Sequence, residues 1–318
     1  MKVIHDPDGF LQQESGCVAS IGKFDGVHKG HQLILQQLRE KALALQVPSV
    51  VIVIEPHPEE FFASSLATCP ARLSEPEEKL ALIAEHGLDY VYLLRFDQQL
   101  SQLSAEQYIE QILVQGLGLR ALIVGNDFRF GHQRRGDFAL LQQYGQRHGF
   151  QVLETASYFE SGERVSSTGV RACLQAGDFV RAQAMLGRPY AISGIVVAGK
   201  KLGRELGFPT CNVQLNRRNI PLHGVYACEV SLQLENGQQR HLEGAANIGY
   251  RPTVSSTQEA ILEVHLLDFN EDVYGAQITV IFRQRIRQEV KFESVTELQR
   301  QIAIDVAQTR DFFAQTST

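Results

Sequence analysis

The hydrophobic rhythm of this chain changes once, near Gly187, and that change limits the architectures open to it. Before it, short apolar runs alternate with amphipathic stretches of helical length. Val18–Ile21, Val50–Ile54, Tyr90–Leu94, Ala121–Val124 and Gln151–Glu154 read as strands, while Gln32–Leu45, Glu75–Glu85, Ala105–Gln115 and Phe138–His148 read as helices. Val50–Ile54 is apolar and β-branched throughout, as in a strand buried on both faces of a parallel sheet. Pro56 and Pro58 predict a loop after it. The alternation predicts an α/β doubly wound parallel-sheet domain, with ligands at the carboxyl ends of the strands.

Beyond Gly187 the strand-like runs follow one another: Ala191–Val197, Gly224–Leu234, His241–Ile248, Ile261–Leu266 and Gln277–Ile286. Asn236-Gly237 is a hairpin-turn signal between two of them. A helix at about Ser294–Phe312 closes the chain. This half predicts a mainly antiparallel β-barrel domain with a C-terminal helix. A length of 318 residues fits two such domains, expected over residues 1–186 and 187–318.

The net charge of −6 argues against non-specific nucleic-acid binding, so any anionic substrate must be held by local groups. The longest apolar run, Val50–Ile54, is far too short to cross a membrane, and Met1–Asp8 has no signal-type apolar core. Five scattered cysteines without C-x-x-C spacing predict neither disulfides nor a zinc site. The expectation is a cytoplasmic protein with small-molecule substrates and no nucleic-acid or membrane partner; homo-oligomerisation is left open.

Two segments of the first half carry chemistry. Strand Val18–Ile21 runs into Gly22-Lys23-Phe24-Asp25-Gly26-Val27-His28-Lys29-Gly30-His31, and a helix then starts. Histidines three apart at a helix start project to one side, and Gly30 lets a ligand approach the backbone. The helix N-terminus offers N–H groups and partial positive charge to a polyphosphate. Arg164-Val165-Ser166-Ser167-Thr168-Gly169-Val170-Arg171 precedes a short helical stretch, with Ser167 or Thr168 as a candidate cap. His28–His31 resembles the H-x-G-H signature of nucleotidyltransferases, and V-S-S-T-G-V-R resembles their second phosphate-binding signature. Further blocks, E-P-H-P-E-E-F-F (55–62), L-S-A-E-Q-Y-I (103–109) and V-G-N-D-F-R-F-G (124–131), are similar to the bacterial bifunctional riboflavin kinase/FAD synthetase family. The resemblance implies that ATP binds around His28, His31, Ser167, Thr168 and Arg171, with Gly22, Phe24, Asp25, Gly26 and Gly30 in the same loop. It also implies that FMN lies near Asp127 and Arg164.

In the second half, Gly199, Lys200, Gly203 and Gly207 form a glycine-basic stretch able to nest phosphates, although the G-K-[ST] ending of a P-loop is absent. Thr210 and Asn212 offer oxygens that suit Mg²⁺. In Ile261-Leu262-Glu263-Val264-His265-Leu266, a strand would put Glu263 and His265 on one face. G-R-E-L-G-F-P-T-C-N (203–212), N-I-G-Y-R-P-T-V (247–254) and E-V-H-L-L-D-F-N-E-D-V-Y-G (263–275) resemble the flavokinase half of the same family. Pro209-Thr210-Cys211-Asn212 stands where that family has the P-T-x-N motif binding Mg-ATP, and Glu263 falls on its catalytic carboxylate. The implied chemistry is ATP-dependent phosphorylation of riboflavin to FMN, then adenylylation of FMN to FAD with release of pyrophosphate. Two rivals stand beside it: a tRNA synthetase-like protein, which the acidic charge disfavours, and a single-activity adenylyltransferase whose β domain only binds flavin.

Overall fold

The computed structural model describes residues 1–5, 16–65, 69–125, 127–199, 202–215, 217, 219–234, 237–252 and 258–316. Contacts divide the chain into two compact units, residues 1–70 with 76–166, and residues 71–75 with 167–318.

The main sheet of the first unit has six strands among the described residues, β1 (Lys2–Ile4), β2 (Cys17–Gly22), β3 (Ser49–Glu55), β4 (Tyr90–Arg95), β5 (Leu119–Gly125) and β6 (Gln151–Thr155). They form one parallel sheet in the order β1-β4-β3-β2-β5-β6. The chain reverses direction across the sheet between β2 and β5, the kind of switch point where doubly wound folds open a crevice. The pleat separates two cores. Cys17, Ala19, Ile21, Val50 and Ile52 face one apolar cluster, and Val18, Val51 and Val53 face the other. Both faces are covered, so the central strands carry no polar alternation; each buried Val or Ile contributes about 1.5–3 kcal/mol relative to exposure.

Helix α1 (Lys29–Leu45) follows β2 and buries Leu35, Leu38 and Ala42. It starts three residues before the helix read from periodicity because His28 caps it, its side chain accepting from the His31 backbone N–H. The loop expected from Pro56 and Pro58 is instead a short helix, α2 (Pro58–Phe62). Pro58 stands at its first turn, where the missing N–H costs nothing, and the Glu60 side chain accepts from the His57 backbone N–H at 3.2 Å. Helix α3 (Pro76–Ala84) matches its expected span closely. The helix expected at Ala105–Gln115 is α-helical only over α4 (Ala105–Tyr108) and continues as a π-helix, Ile109–Gly116. Its widened turns keep Ile109, Leu113 and Leu117, four residues apart, against the core. Helix α5 (Phe138–His148) has the expected bounds, set by the Asp137 cap and left-handed Gly149.

The second unit opens with α6 (Ser167–Ala176) and α7 (Phe179–Leu186), a helix pair of which sequence reading gave only a short helical stretch. Six strands follow: β7 (Ala191–Val197), β8 (Cys211–Gln214), β9 (Gly224–Gln233), β10 (Gln239–Pro252), β11 (Gln258–Leu266) and β12 (Gln277–Arg287), with the one-turn helix α8 (Leu202–Glu205) between β7 and β8. They close an antiparallel barrel in the order β8-β11-β10-β9-β12-β7. Strand β8, absent from the sequence reading, is the piece that closes it. Helix α9 (Val295–Thr316) turns Asp305, Thr309 and Phe313 inward. The β9–β10 turn has Gly237 left-handed, while Asn236 lies outside the described residues.

Helices α6 and α7 are tied to the barrel. Phe179 packs against Tyr226 and Phe282, and Arg285 donates to the carbonyls of Gln175 and Ala176 at 2.9 and 2.7 Å, satisfying the end of α6. Residues 71–75 belong here too: buried Arg217 donates to Leu73 O and Tyr190 Oη. No helix among the described residues is long and apolar enough to cross a membrane.

Candidate active sites

In the first unit the carboxyl end of β2 runs into a tight loop. Phe24 and Val27 have left-handed φ of 49° and 40°, with Gly26 at 77° between them. For β-branched Val27 this backbone costs about 1–3 kcal/mol, and such strain persists where the surrounding structure imposes it. The Phe24 ring is buried, and the His31 ring tilts over it at 5.0 Å. Asp25 is buried as well. His28 and His31 stack with centroids 3.7 Å apart and planes 15° from parallel. Because His28 Nδ1 accepts from the His31 backbone N–H at 3.3 Å, the proton of neutral His28 sits on Nε2. Gly30 lies against this ring, where a Cβ would meet it at 3.2 Å, and a Cβ on Gly22 would press on Phe24 at the same distance.

Burial, the neighbouring His28, and the positive charges of Lys79 and Lys23 push His31 well below the ordinary histidine value. Its Nδ1 is buried without a hydrogen-bond partner. His31 is therefore neutral at pH 7, a donor or acceptor but not a cation.

Lys79, fully buried on α3, is a site feature that sequence reading missed. Its ammonium lies 2.5 Å from Glu55 Oε1 and 3.1 Å from His57 Nε2. An ammonium only donates, so His57 Nε2 accepts from it. Lys79 stands in a Glu-rich helical stretch and belongs to no sequence motif. Asp127, just past β5, pairs with Arg164 at 2.6 Å, both largely exposed. Phe61, Phe62 and Phe96, at the carboxyl ends of β3 and β4, meet edge to face, with Phe62 mostly exposed.

The depressed His31 value has a consequence for stability. The unfolded chain binds a proton near pH 6.5 that the folded chain refuses, so stability falls as pH drops through that value. His31→Gln removes this one term. In urea titrations between pH 8 and 5, the wild type is expected to lose stability more steeply than the variant, by up to about 1.4 kcal/mol per pH unit. Equal slopes would contradict the assignment.

In the second unit, Ser167 and Thr168 occupy the first turn of α6, where backbone N–H groups lack helical partners; the helix begins at Ser167, so the cap position falls to Ser166. Arg171 Nε donates to Ala71 O at 2.5 Å. Two adjoining cavities lie against the barrel. The larger, about 270 Å³, is lined by Thr210, Asn212, Glu263, His265 and Arg287 with apolar walls that include Phe208, Phe292, Ile302 and Val306. The smaller, about 80 Å³, also touches Thr210 and Asn212, together with Gly199, Arg204, Pro209 and Asp272.

Strand pairing explains this convergence. In the β8–β11 ladder Asn212 stands opposite Glu263. Along β11, Leu262, Val264 and Leu266 are buried in the barrel while Glu263 and His265 take the other face. A Cβ on Gly199 would overlap the Asn212 amide, and one on Gly203 would overlap the Phe208 carbonyl, so glycine makes room for both. Gly207 is left-handed at φ 88° and ends α8's turn. Lys200 lies outside the described residues. Cys211, between the two polar residues, is pushed up to about 11 by burial and the nearby Asp272, so its thiol stays protonated. All five cysteines are free. Arg287, another residue not singled out from sequence, grips buried Asp305 of α9 with Nε–Oδ1 and Nη2–Oδ2 distances of 2.8 Å. No group of three or more His, Cys, Asp or Glu among the described residues could hold a metal.

Comparison with known proteins places this geometry. Residues 11–169 match the FAD synthetase family and residues 186–313 the riboflavin kinase family. A bifunctional riboflavin kinase/FMN adenylyltransferase of Escherichia coli K12 is 48% identical over 317 residues, covering 99% of each chain. One from Pseudomonas fluorescens is 47% identical over 310 residues, covering 98% of this chain and 97% of the relative. Among solved structures, a Streptococcus pneumoniae protein described as a macrolide-efflux protein is 28% identical, with a TM-score of 0.77 over 97% of this chain and 98% of that one. A strained β2–α1 loop with a stacked histidine pair and a barrel cavity joining Thr210, Asn212 and Glu263 are thus found in a chain that belongs to the bifunctional riboflavin kinase/FMN adenylyltransferase family.

Proposed function

We propose that the chain makes flavin cofactors in two ATP-dependent steps, phosphorylating riboflavin to FMN in its barrel and adenylylating FMN to FAD in its α/β unit. The observation that carries the kinase reading is one cavity lined by a carboxylate, Glu263, and by two hard-oxygen donors, Thr210 and Asn212. The apolar walls suit an isoalloxazine ring, and at about 270 Å³ the cavity is close to the usual size of a ligand pocket. The ribityl 5′-hydroxyl is protonated at neutral pH, so its attack on the γ-phosphorus needs a base, and Glu263 takes that role. Gly199, Arg204 and Gly203 border the nucleotide side.

Thr210 and Asn212 fit Mg²⁺: both offer hard oxygens, and Gly199 leaves the space that Asn212 needs. Bound there, the ion would neutralise phosphate charge. Lys200, in the same stretch, is assigned to the phosphates from sequence alone.

FMN's phosphate is already mostly ionised near pH 7, so adenylyl transfer needs alignment and charge stabilisation rather than a strong base. His28, which presents Nε2–H, and neutral His31 supply hydrogen bonds where charge develops, beside the N–H groups of α1. Gly22, Phe24, Asp25, Gly26 and Gly30 shape this loop. Ser167, Thr168 and Arg171 are assigned to ATP phosphates from the sequence resemblance alone. Exposed Phe62, with Phe61 and Phe96, offers aromatic faces for a flavin; Asp127 and Arg164 are assigned to FMN from the sequence resemblance. The reading includes a cytoplasmic setting, where both substrates and Mg²⁺ are at hand.

The two-domain organisation is tested with fragments. Residues 187–318 are expected to make FMN and no FAD, and residues 1–186 to convert FMN to FAD. A fragment beginning at Ser167 is expected to be the more stable kinase by about 3–5 kcal/mol, since removing Phe179 uncovers Tyr226 and Phe282. If only the intact chain makes FMN, the kinase is not housed in the barrel alone.

A further inference from the structure

His265 shares a strand face and a cavity with Glu263, yet the phosphoryl-transfer scheme gives it no task. Its Nδ1 lies 2.8 Å from the carbonyl oxygen of Pro209. A carbonyl only accepts, so Nδ1 carries the proton in either charge state of the ring. The Phe208 ring meets the imidazole edge to face at 5.7 Å. The segment that receives this hydrogen bond is the one leading into Thr210 and Asn212.

Among the described residues that segment has few other ties to β11. The β8–β11 ladder begins only at Cys211, paired with Val264, so Pro209 and Thr210 precede it. Proline has no N–H with which to extend the ladder. On the opposite side the turn is held by the Phe208 N–H on Gly203 O at 2.7 Å and by Gln299 Nε2 on Leu206 O at 3.0 Å. Toward β11, the His265 side chain supplies the link that the backbone lacks. We propose that His265 is a positioning residue for phosphoryl transfer, which anchors the Pro209–Thr210 turn to β11 and so sets Thr210 and Asn212 relative to Glu263. The proposal rests on the reading of Thr210 and Asn212 as the Mg-ATP-binding pair.

The test uses the full-length chain. His265→Leu keeps bulk and removes the donor, while His265→Asn puts an amide N–H near the position of Nδ1. Losing one neutral hydrogen bond that fixes a binding turn is expected to raise KM for Mg-ATP in FMN formation about 2- to 10-fold in His265→Leu. The rate of FAD formation from supplied FMN is expected to stay at the wild-type value, and an unchanged thermal unfolding transition shows that the barrel has folded. His265→Asn is expected to restore KM for Mg-ATP to within about twofold of wild type. Thr210→Val and Asn212→Ala are measured in parallel. If they raise KM for Mg-ATP and His265→Leu does not, the positioning role is overturned while the underlying reading stands. If neither changes it, the underlying reading fails first. Equal impairment in His265→Leu and His265→Asn also overturns the proposal, because a hydrogen-bond anchor tolerates the amide.

Discussion

Glu263→Gln is expected to slow FMN formation by about 10²–10⁴-fold, the usual contribution of general-base catalysis. That range equals roughly 3–5.5 kcal/mol of barrier, at about 1.36 kcal/mol per factor of ten. The substitution keeps shape and hydrogen-bonding atoms on β11 but removes the basic carboxylate opposite Asn212. The loss is expected in kcat, with KM for riboflavin and ATP little changed, because the proton moves only as attack proceeds. FAD formation from supplied FMN is expected to be untouched, since the proposal gives that step to the histidine pair of the other unit. If Glu263 instead helped to hold the metal ion, KM for Mg-ATP would rise and added Mg²⁺ would partly rescue the rate. FMN formation at the wild-type rate would reduce Glu263 to a solvated residue on a strand face.

The His28→Ala, His31→Ala double variant is expected to lose FAD formation by at least about 10³-fold while FMN formation continues. One complication is built into the fold. His28 caps α1, and removing a cap costs about 1 kcal/mol. His28→Asn restores a good cap without restoring Nε2–H. It is expected to match wild type in thermal stability and still be slow in adenylylation. Joint loss of both activities in the double variant would mean that the pair supports the fold rather than the chemistry.

Central strands of the sheet were legible because burial on both faces leaves mostly apolar residues. Val50–Ile54 marks β3 to within one residue at each end. Helix ends were less legible where caps set them: His28 starts α1 before its apolar periodicity begins. The π-helical continuation of α4 leaves no signature in apolar spacing alone. Strand β8 was missed because only Val213 of its four residues is buried, too few for an alternation to be seen. Its closure of the barrel depends on ladders with β7 and β11, which sequence does not display.

The sites show the same division. Glu263 and His265 share a face because strand pleating is local, and that much could be read directly. Their meeting with Thr210 and Asn212 depends on register between strands far apart in sequence. Lys79 and Arg287 belong to no sequence motif. Only tertiary structure shows Lys79 enclosed beside Glu55 and His57, and Arg287 clamped on Asp305.

The claim that one chain transfers a phosphoryl group at one site and an adenylyl group at another is tested most directly by following the phosphorus atoms of ATP. The purified chain is incubated with riboflavin, Mg²⁺ and ATP radiolabelled at the γ-phosphorus or, separately, at the α-phosphorus, and the flavins are resolved by chromatography. The expected result is γ-label in both FMN and FAD, and α-label in FAD alone, with pyrophosphate released. Glu263→Gln should erase the γ-label from the flavins, and the His28→Ala, His31→Ala double variant should erase the α-label. Flavin that never acquires α-label, or α-label that vanishes with Glu263→Gln even when FMN is supplied, would contradict two separate sites.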